Sequence, residues 1–323
     1  MTSLVIVASI AGAYAIGVYL LITLADEGSS GAQTGLIGFS FLLVLPAVIC
    51  AFIALAADPY GTRSRGYYIQ VPVWTIAGAL AISTLFLREG VVCMLMLAPL
   101  WLAGGIFGVL AARWLRRRLR GDRTFCAALL ALPLIGLQVE PLLPLPTDRY
   151  TVARSIVIDA PPETIWPLLE GVRDVQPNEG RWNLTQNLIG VPRPRGAHLV
   201  GEGLGAERQA IWTDGIRFAE RITQWQPGAR IGWRFDFSNS TGWEFTDRHL
   251  VPDSVYFRVD SGGYALERLG PRRTRVTLDT QYWLRTPVNG YSALWGELFL
   301  GDLSNNLLAL IKARAERPGL VRD

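Results

Sequence analysis

Two charges on an otherwise apolar strand face are the first chemistry this sequence offers. Arg208 and Glu220 flank Thr213-Asp214-Gly215, between a run at 206–212 and another at 216–226. Asp-Gly marks a turn. A two-residue turn would set Gln209 opposite Glu220. A three-residue loop, with the glycine in the left-handed position, instead pairs Trp212 with Ile216 and Ala210 with Phe218. That second register gathers the apolar residues on one face, and it is the one we expect. It places Arg208 opposite Glu220 on the inner face, where an unpaired charge would cost several kcal/mol. The pair then has three possible uses: holding the strands, anchoring a ligand headgroup, or acid–base work with Glu220 as general base. A second polar set, Asp302 and Asn306, interrupts the apolar face of the C-terminal helix. An acid there must find a partner or water. Lining a cavity would supply one, and Asp302 is the alternative general base.

Other chemistries find little to work with. The chain has only two histidines, His198 and His249, and its three cysteines (Cys50, Cys93, Cys126) all lie in apolar stretches. No metal site is expected from such a set, and no cofactor. The Gly-rich run 201–207 precedes a strand and lacks the Lys-Ser/Thr of a phosphate loop. No G-x-S-x-G elbow occurs. Residues 147–323 carry 22 basic against 21 acidic side chains, a poor footprint for nucleic acid.

The elements that must position these residues follow from periodicity. From Ala206 onward the period is two: Ile231, Trp233, Phe235 and Phe237 alternate with charged residues, as do Val276, Leu278, Thr280 and Tyr282. Val255, Phe257 and Val259, then Tyr264 and Leu266, continue the pattern. Strand-like composition opens the half at 150–159, followed by a short helix at 163–169, while 171–205 yields no clear element. Thr286-Pro287 signals a helix start, and a long helix runs to about Glu316. Tyr291, Leu294, Trp295, Leu298 and Phe299 recur at helical spacing as its apolar face. The expected result is a curved antiparallel sheet burying its apolar face against that helix. Trp212, Phe218, Trp233, Phe235, Tyr264, Tyr282, Trp295 and Phe299 then serve as core or as pocket lining.

This order resembles the SRPBCC superfamily, the helix-grip fold of START lipid-transfer domains, birch-pollen-allergen-like proteins and polyketide cyclase/dehydrases. The residues that carry the resemblance are SIVIDAPPETIWPLL at 155–169, GEGLGAER at 201–208, TQYWL at 280–284 and the helix 287–316. It covers about half the chain, 151 to 316. It implies a hydrophobic cavity between sheet and helix, and with it a hydrophobic or lipid-like small-molecule partner. It supplies no shared catalytic set. A cyclase/dehydratase-type enzyme and a protein-interaction module with a collapsed cavity are the alternatives.

Residues 1–140 are of a different kind. Half the chain's residues are hydrophobic and its mean hydropathy is +0.26. Five apolar stretches read as membrane spans: 3–24, 35–57, 71–87, 91–112 and 124–139; against the ~20 residues a span needs, the third is short, and the fifth is shorter still and contains Pro133. No Lys or Arg precedes the first, which therefore reads as a retained span and not a signal peptide. Loops 58–70 and 113–123 hold eight arginines against one in the alternate loops. This bias puts the N-terminus in the cytoplasm of what we expect to be a bacterial inner membrane. With five spans the second half is periplasmic. If the fifth stretch lies in the interface, the second half is cytoplasmic. A proline-rich linker, 141–150, leads to the domain at 151–316 and a tail at 317–323. Neither oligomeric state nor a protein partner follows from these residues.

Overall fold

The computed structural model describes residues 2–28, 35–86, 90–119, 128–241 and 251–317. The chain divides into two compact units: Met1–Pro146 with Thr286–Val288, and Thr147–Arg285 with Asn289–Asp323.

The first unit is helical: α1 (Thr2–Gly28), α2 (Leu45–Ala56), α3 (Arg65–Leu85), α4 (Val91–Leu119) and α5 (Ala131–Val139). Among the described residues, three helical stretches are long and apolar enough to cross a membrane: Leu4–Leu24, Arg65–Leu85 and Val91–Arg118. The second and fifth expected spans are shorter, at Ser40–Ala56 and Ala131–Leu142. Before α2, the Leu45 N–H reaches back to Ser40 O in a π-turn, because Pro46 has no N–H to offer Leu42. Pro133 lies in the first turn of α5, where a missing N–H is tolerated; 124–127 of the expected span lie outside the described residues. Helices α2 and α4 approach closely at Gly108. A Cβ at Gly108 would lie 2.4 Å from Ala47 O, so only glycine fits there. Asp58 organises the turn before α3, accepting from Thr62 N, Arg63 N and the Tyr68 hydroxyl (2.6 Å). Burial alone would raise its pKa, but these hydrogen bonds hold it below the ordinary carboxylate value.

The second unit is a seven-stranded antiparallel sheet in the order β1-β7-β6-β5-β4-β3-β2. The strands are β1 (Asp148–Ile158), β2 (Pro194–Val200), β3 (Glu207–Trp212), β4 (Arg217–Gln226), β5 (Arg230–Thr241), β6 (Phe257–Gly270) and β7 (Arg273–Leu284). Helix α6 (Pro162–Glu170) follows β1, and α7 (Asn289–Ala315) closes the unit. The expected alternation is present: Ile231, Trp233, Val276, Leu278 and Tyr282 are all buried. The first four pack with Ile165 and Leu169 of α6 and Leu308 and Ile311 of α7, at roughly 1.5–3 kcal/mol per fully buried large side chain. Val259 and Tyr264 are an odd number of residues apart, yet both are buried. A bulge between Val259 and Ser261 restores the phase. Val255 precedes β6 and is exposed, so the strand begins two residues later than its pattern suggested.

Helix α7 begins at Asn289 rather than at Pro287. The Thr286 hydroxyl accepts from Val288 N (3.2 Å) and closes the turn ahead of the helix. Its packing also corrects the expected apolar face. Leu294 is 68% exposed, whereas Ala293, Gly296, Leu300, Ser304, Leu308 and Ile311 meet the sheet or are buried. The reason is size. The Tyr282 ring stands beneath the first turns, and a Cβ at Gly296 would lie 2.3 Å from its hydroxyl. Only small side chains fit between, so the larger residues are displaced to the flank.

Candidate functional site

The turn Thr213–Gly215 sets the site. Asp214 (φ +61°) and Gly215 (φ +76°) both take left-handed conformations, which Asp tolerates and Gly favours. The Trp212 N–H bonds Ile216 O at 2.9 Å, and the ladder runs Ala210 to Phe218 and Arg208 to Glu220. This is the three-residue register.

Arg208 and Glu220 are 5% and 6% exposed. Arg208 Nε donates to Glu220 Oε2 at 2.5 Å, and Nη1 donates to Leu169 O at 2.6 Å. That carbonyl belongs to the last turn of α6, where a cation also complements the helix dipole. The guanidinium carbon sits 4.1 Å from the Trp233 ring centroid and 5.8 Å from that of Tyr264. One side chain therefore ties together β3, β4, β5, β6 and the end of α6. Burial opposes the Arg208 charge, but the Glu220 carboxylate, Tyr264 and the hydrogen bond outweigh it and raise the pKa. Burial pushes the Tyr264 phenol up to about 12, with Arg208 opposing and Glu220 adding to the rise. At neutral pH the site is a charge pair beside a neutral phenol.

Alongside the pair runs an aromatic strip on the same face of β3, β4 and β5. Phe218 contacts Trp212 (5.8 Å), Phe235 (6.0 Å) and Phe237 (5.5 Å), and Trp233 meets Phe235 edge-on at 6.1 Å. Trp212, Phe235 and Phe237 remain half-buried. Helix α7 packs chiefly on β1 and β7.

The remaining residues singled out in the sequence are elsewhere. Tyr282 stacks on Tyr150 (5.7 Å) in a separate cluster with Val152 and Leu284. Trp295 lies between Tyr291 and Phe299 along the flank of α7, not on its sheet-facing stripe. Asp302 Oδ2 accepts from Thr185 N (3.1 Å) and Thr185 Oγ1 (2.7 Å). Asn306 accepts from Arg181 N (2.7 Å) and donates to Gln186 Oε1 (2.7 Å). Both thus hold a strap at 181–191, built on a π-turn at Leu184–Leu188. Asn306 also lines a cavity of about 120 Å³ with Leu307, Leu310, Val175 and Arg193. The strap and β2 fall in the stretch for which the sequence yielded no element. A signal existed in Asn183-x-x-Gln186, where the Asn183 side chain accepts from Gln186 N at 2.8 Å in the manner of a helix cap. Phe237 joins the aromatic strip as a site residue that the strand pattern placed inward but did not single out. Among the described residues, no cluster of His, Cys, Asp and Glu is arranged to hold a metal.

No family model and no curated protein sequence matches this chain. Solved structures similar to part of this chain include a START superfamily protein from Mycobacterium smegmatis, with 14% identity and a TM-score of 0.34, covering 51% of this chain and 97% of that one. The Zhui aromatase/cyclase from Streptomyces sp. R1128 has 14% identity and a TM-score of 0.33, over 53% and 95%. Norcoclaurine synthase from Thalictrum flavum has 13% identity and a TM-score of 0.33, over 53% and 96%. Scores at this level add no weight to a particular activity. The strand order and the C-terminal helix are what define the helix-grip arrangement.

Proposed function

We propose that the domain at 151–316 binds a hydrophobic, lipid-like small molecule against the strip Trp212, Phe218, Phe235 and Phe237, with the Arg208–Glu220 pair as its polar anchor. One observation carries this reading: a half-buried aromatic surface adjoins a desolvated ion pair on the same sheet face. Pockets for small molecules combine apolar walls with a few fixed polar groups. The helix-grip resemblance in the sequence supports the same reading. Acid–base catalysis has less behind it, because Glu220 is bonded to Arg208 and Asp302 to Thr185.

The three long apolar helices support an integral membrane protein, with 1–140 as its anchor and 141–150 as the linker. The arginine bias supports a periplasmic second half of an inner-membrane protein if 124–139 crosses the bilayer. A reporter fused after Asp323 that works only in the cytoplasm would assign that stretch to the interface.

The binding reading is tested by photocrosslinking the full chain, in its membrane, with a diazirine-bearing long-chain fatty acid. Adducts should map to peptides containing Trp212, Phe218 or Phe235. Adducts confined to residues 1–140 would sink it.

A further inference from the structure

Away from the inner face, the strap at 181–191 is rigidly built and yet shows large apolar side chains to solvent. Trp182 is 68% exposed and Leu188 is 71% exposed. Asn183 N bonds Asn187 Oδ1 (3.0 Å), tying the residue after Trp182 to the residue before Leu188 across the π-turn. Beneath them, Asp302 and Asn306 anchor Thr185, Gln186 and Arg181 to α7. Arg193 adds a brace, donating to Pro177 O (3.1 Å) and Asn187 Oδ1 (3.2 Å). Two exposed arginines, Arg181 within the strap and Arg195 just beyond it in the sequence, have no carboxylate partner among the described residues. The nearby Glu179 is occupied by Arg314 at 2.7 Å.

We propose that this strap is a lipid-surface contact, with Trp182 and Leu188 entering the headgroup boundary and the arginines meeting anionic headgroups. The chemistry selects the partner. Tryptophan favours the membrane–water interface, where its ring is apolar and its N–H stays wet. Unpaired arginines are drawn to the negative potential of anionic lipid within a Debye length of the surface. A rigid mount means that little conformational freedom is lost on contact. The inference requires the chain to reside in a bilayer, but it does not depend on the inner face binding a ligand.

The test uses the full chain in nanodiscs of phosphatidylcholine and phosphatidylglycerol, with and without a nitroxide near the headgroup. Subtracting the emission of Trp182→Phe from that of the wild type isolates Trp182. That component should fall by about half in the nitroxide discs, as for a ring at the depth of an interfacial side chain. The double variant Arg181→Gln/Arg195→Gln should recover most of the lost Trp182 emission at an unchanged melting temperature. Exposed Trp74 and Trp114 of the apolar helices supply the control that the chain is embedded. Quenching of the remaining emission with Trp182 untouched would overturn the proposal. So would an untouched Trp182 whose replacement lowers the oligomeric mass, which would assign the strap to a second copy of the chain.

Discussion

Replacing Glu220 by glutamine tests whether the buried pair holds the strands. Glutamine keeps the shape and one acceptor oxygen, so the change removes charge and little else. It leaves Arg208, 5% exposed, without its carboxylate. Removing one partner of a buried pair costs about 3–5 kcal/mol. Two contacts survive, the Leu169 carbonyl at 2.6 Å and the Trp233 ring at 4.1 Å. A desolvated cation–π contact contributes about 2 kcal/mol, so the low end of that range, about 3 kcal/mol, is the expected loss. For a unit of this size that lowers the melting temperature by about 6–12 °C. The assay is thermal unfolding of the detergent-solubilised full chain at neutral pH. The double replacement Arg208→Met/Glu220→Leu should regain most of the loss, because apolar substitutes for buried pairs are close to neutral. A melting temperature unmoved by Glu220→Gln would refute the reasoning. If ligand retention fell at the same time, the pair would serve the ligand alone and not the strands.

Raising the pH should destabilise the second unit between about 10 and 12. The Tyr264 and Tyr282 phenols are both pushed up to about 12 in the folded state from an ordinary value near 10. A raised folded pKa gives stability that is complete below pH 10 and lost as the pH climbs through 12. Melting curves against pH should show this fall, flattened in Tyr264→Phe/Tyr282→Phe. Gly180→Ala should cost about 2 kcal/mol, because Gly180 sits at φ +89° and a Cβ there would lie 2.1 Å from Asn306 Oδ1; differential scanning calorimetry would measure it. Asp302→Ala should strand the buried Thr185 N–H and hydroxyl at about 1–3 kcal/mol and speed amide exchange at 184–188, whereas Asp302→Asn should largely preserve the strap. Equal exchange in the two variants would show that Asp302 does not hold it.

The two halves of this molecule were legible to different degrees, for identifiable reasons. The Arg208–Glu220 register could be read from Asp214-Gly215 because turn chemistry and apolar alternation agreed on one answer. The inward positions of Ile231, Trp233, Val276 and Tyr282 followed from the period-two pattern. The face of α7 was misread because Ala293 and Gly296 are chosen by the space beside Tyr282, which hydrophobicity does not register. The strap was illegible because its partners, Asp302 and Asn306, are 117–125 positions away in sequence. The π-turn at Ser40–Val44, within the second expected span, was not legible because composition does not register a change in hydrogen-bond spacing.

The central claim is that the inner face holds an apolar molecule, and co-extraction tests it most directly. The full chain, purified from its membrane in mild detergent, is extracted with organic solvent and the extract compared by mass spectrometry with that of a Phe235→Asp variant of matched lipid content. The account predicts one apolar species enriched over bulk lipid in the wild type and lost in the variant. Extracts that match bulk lipid in both proteins would contradict it.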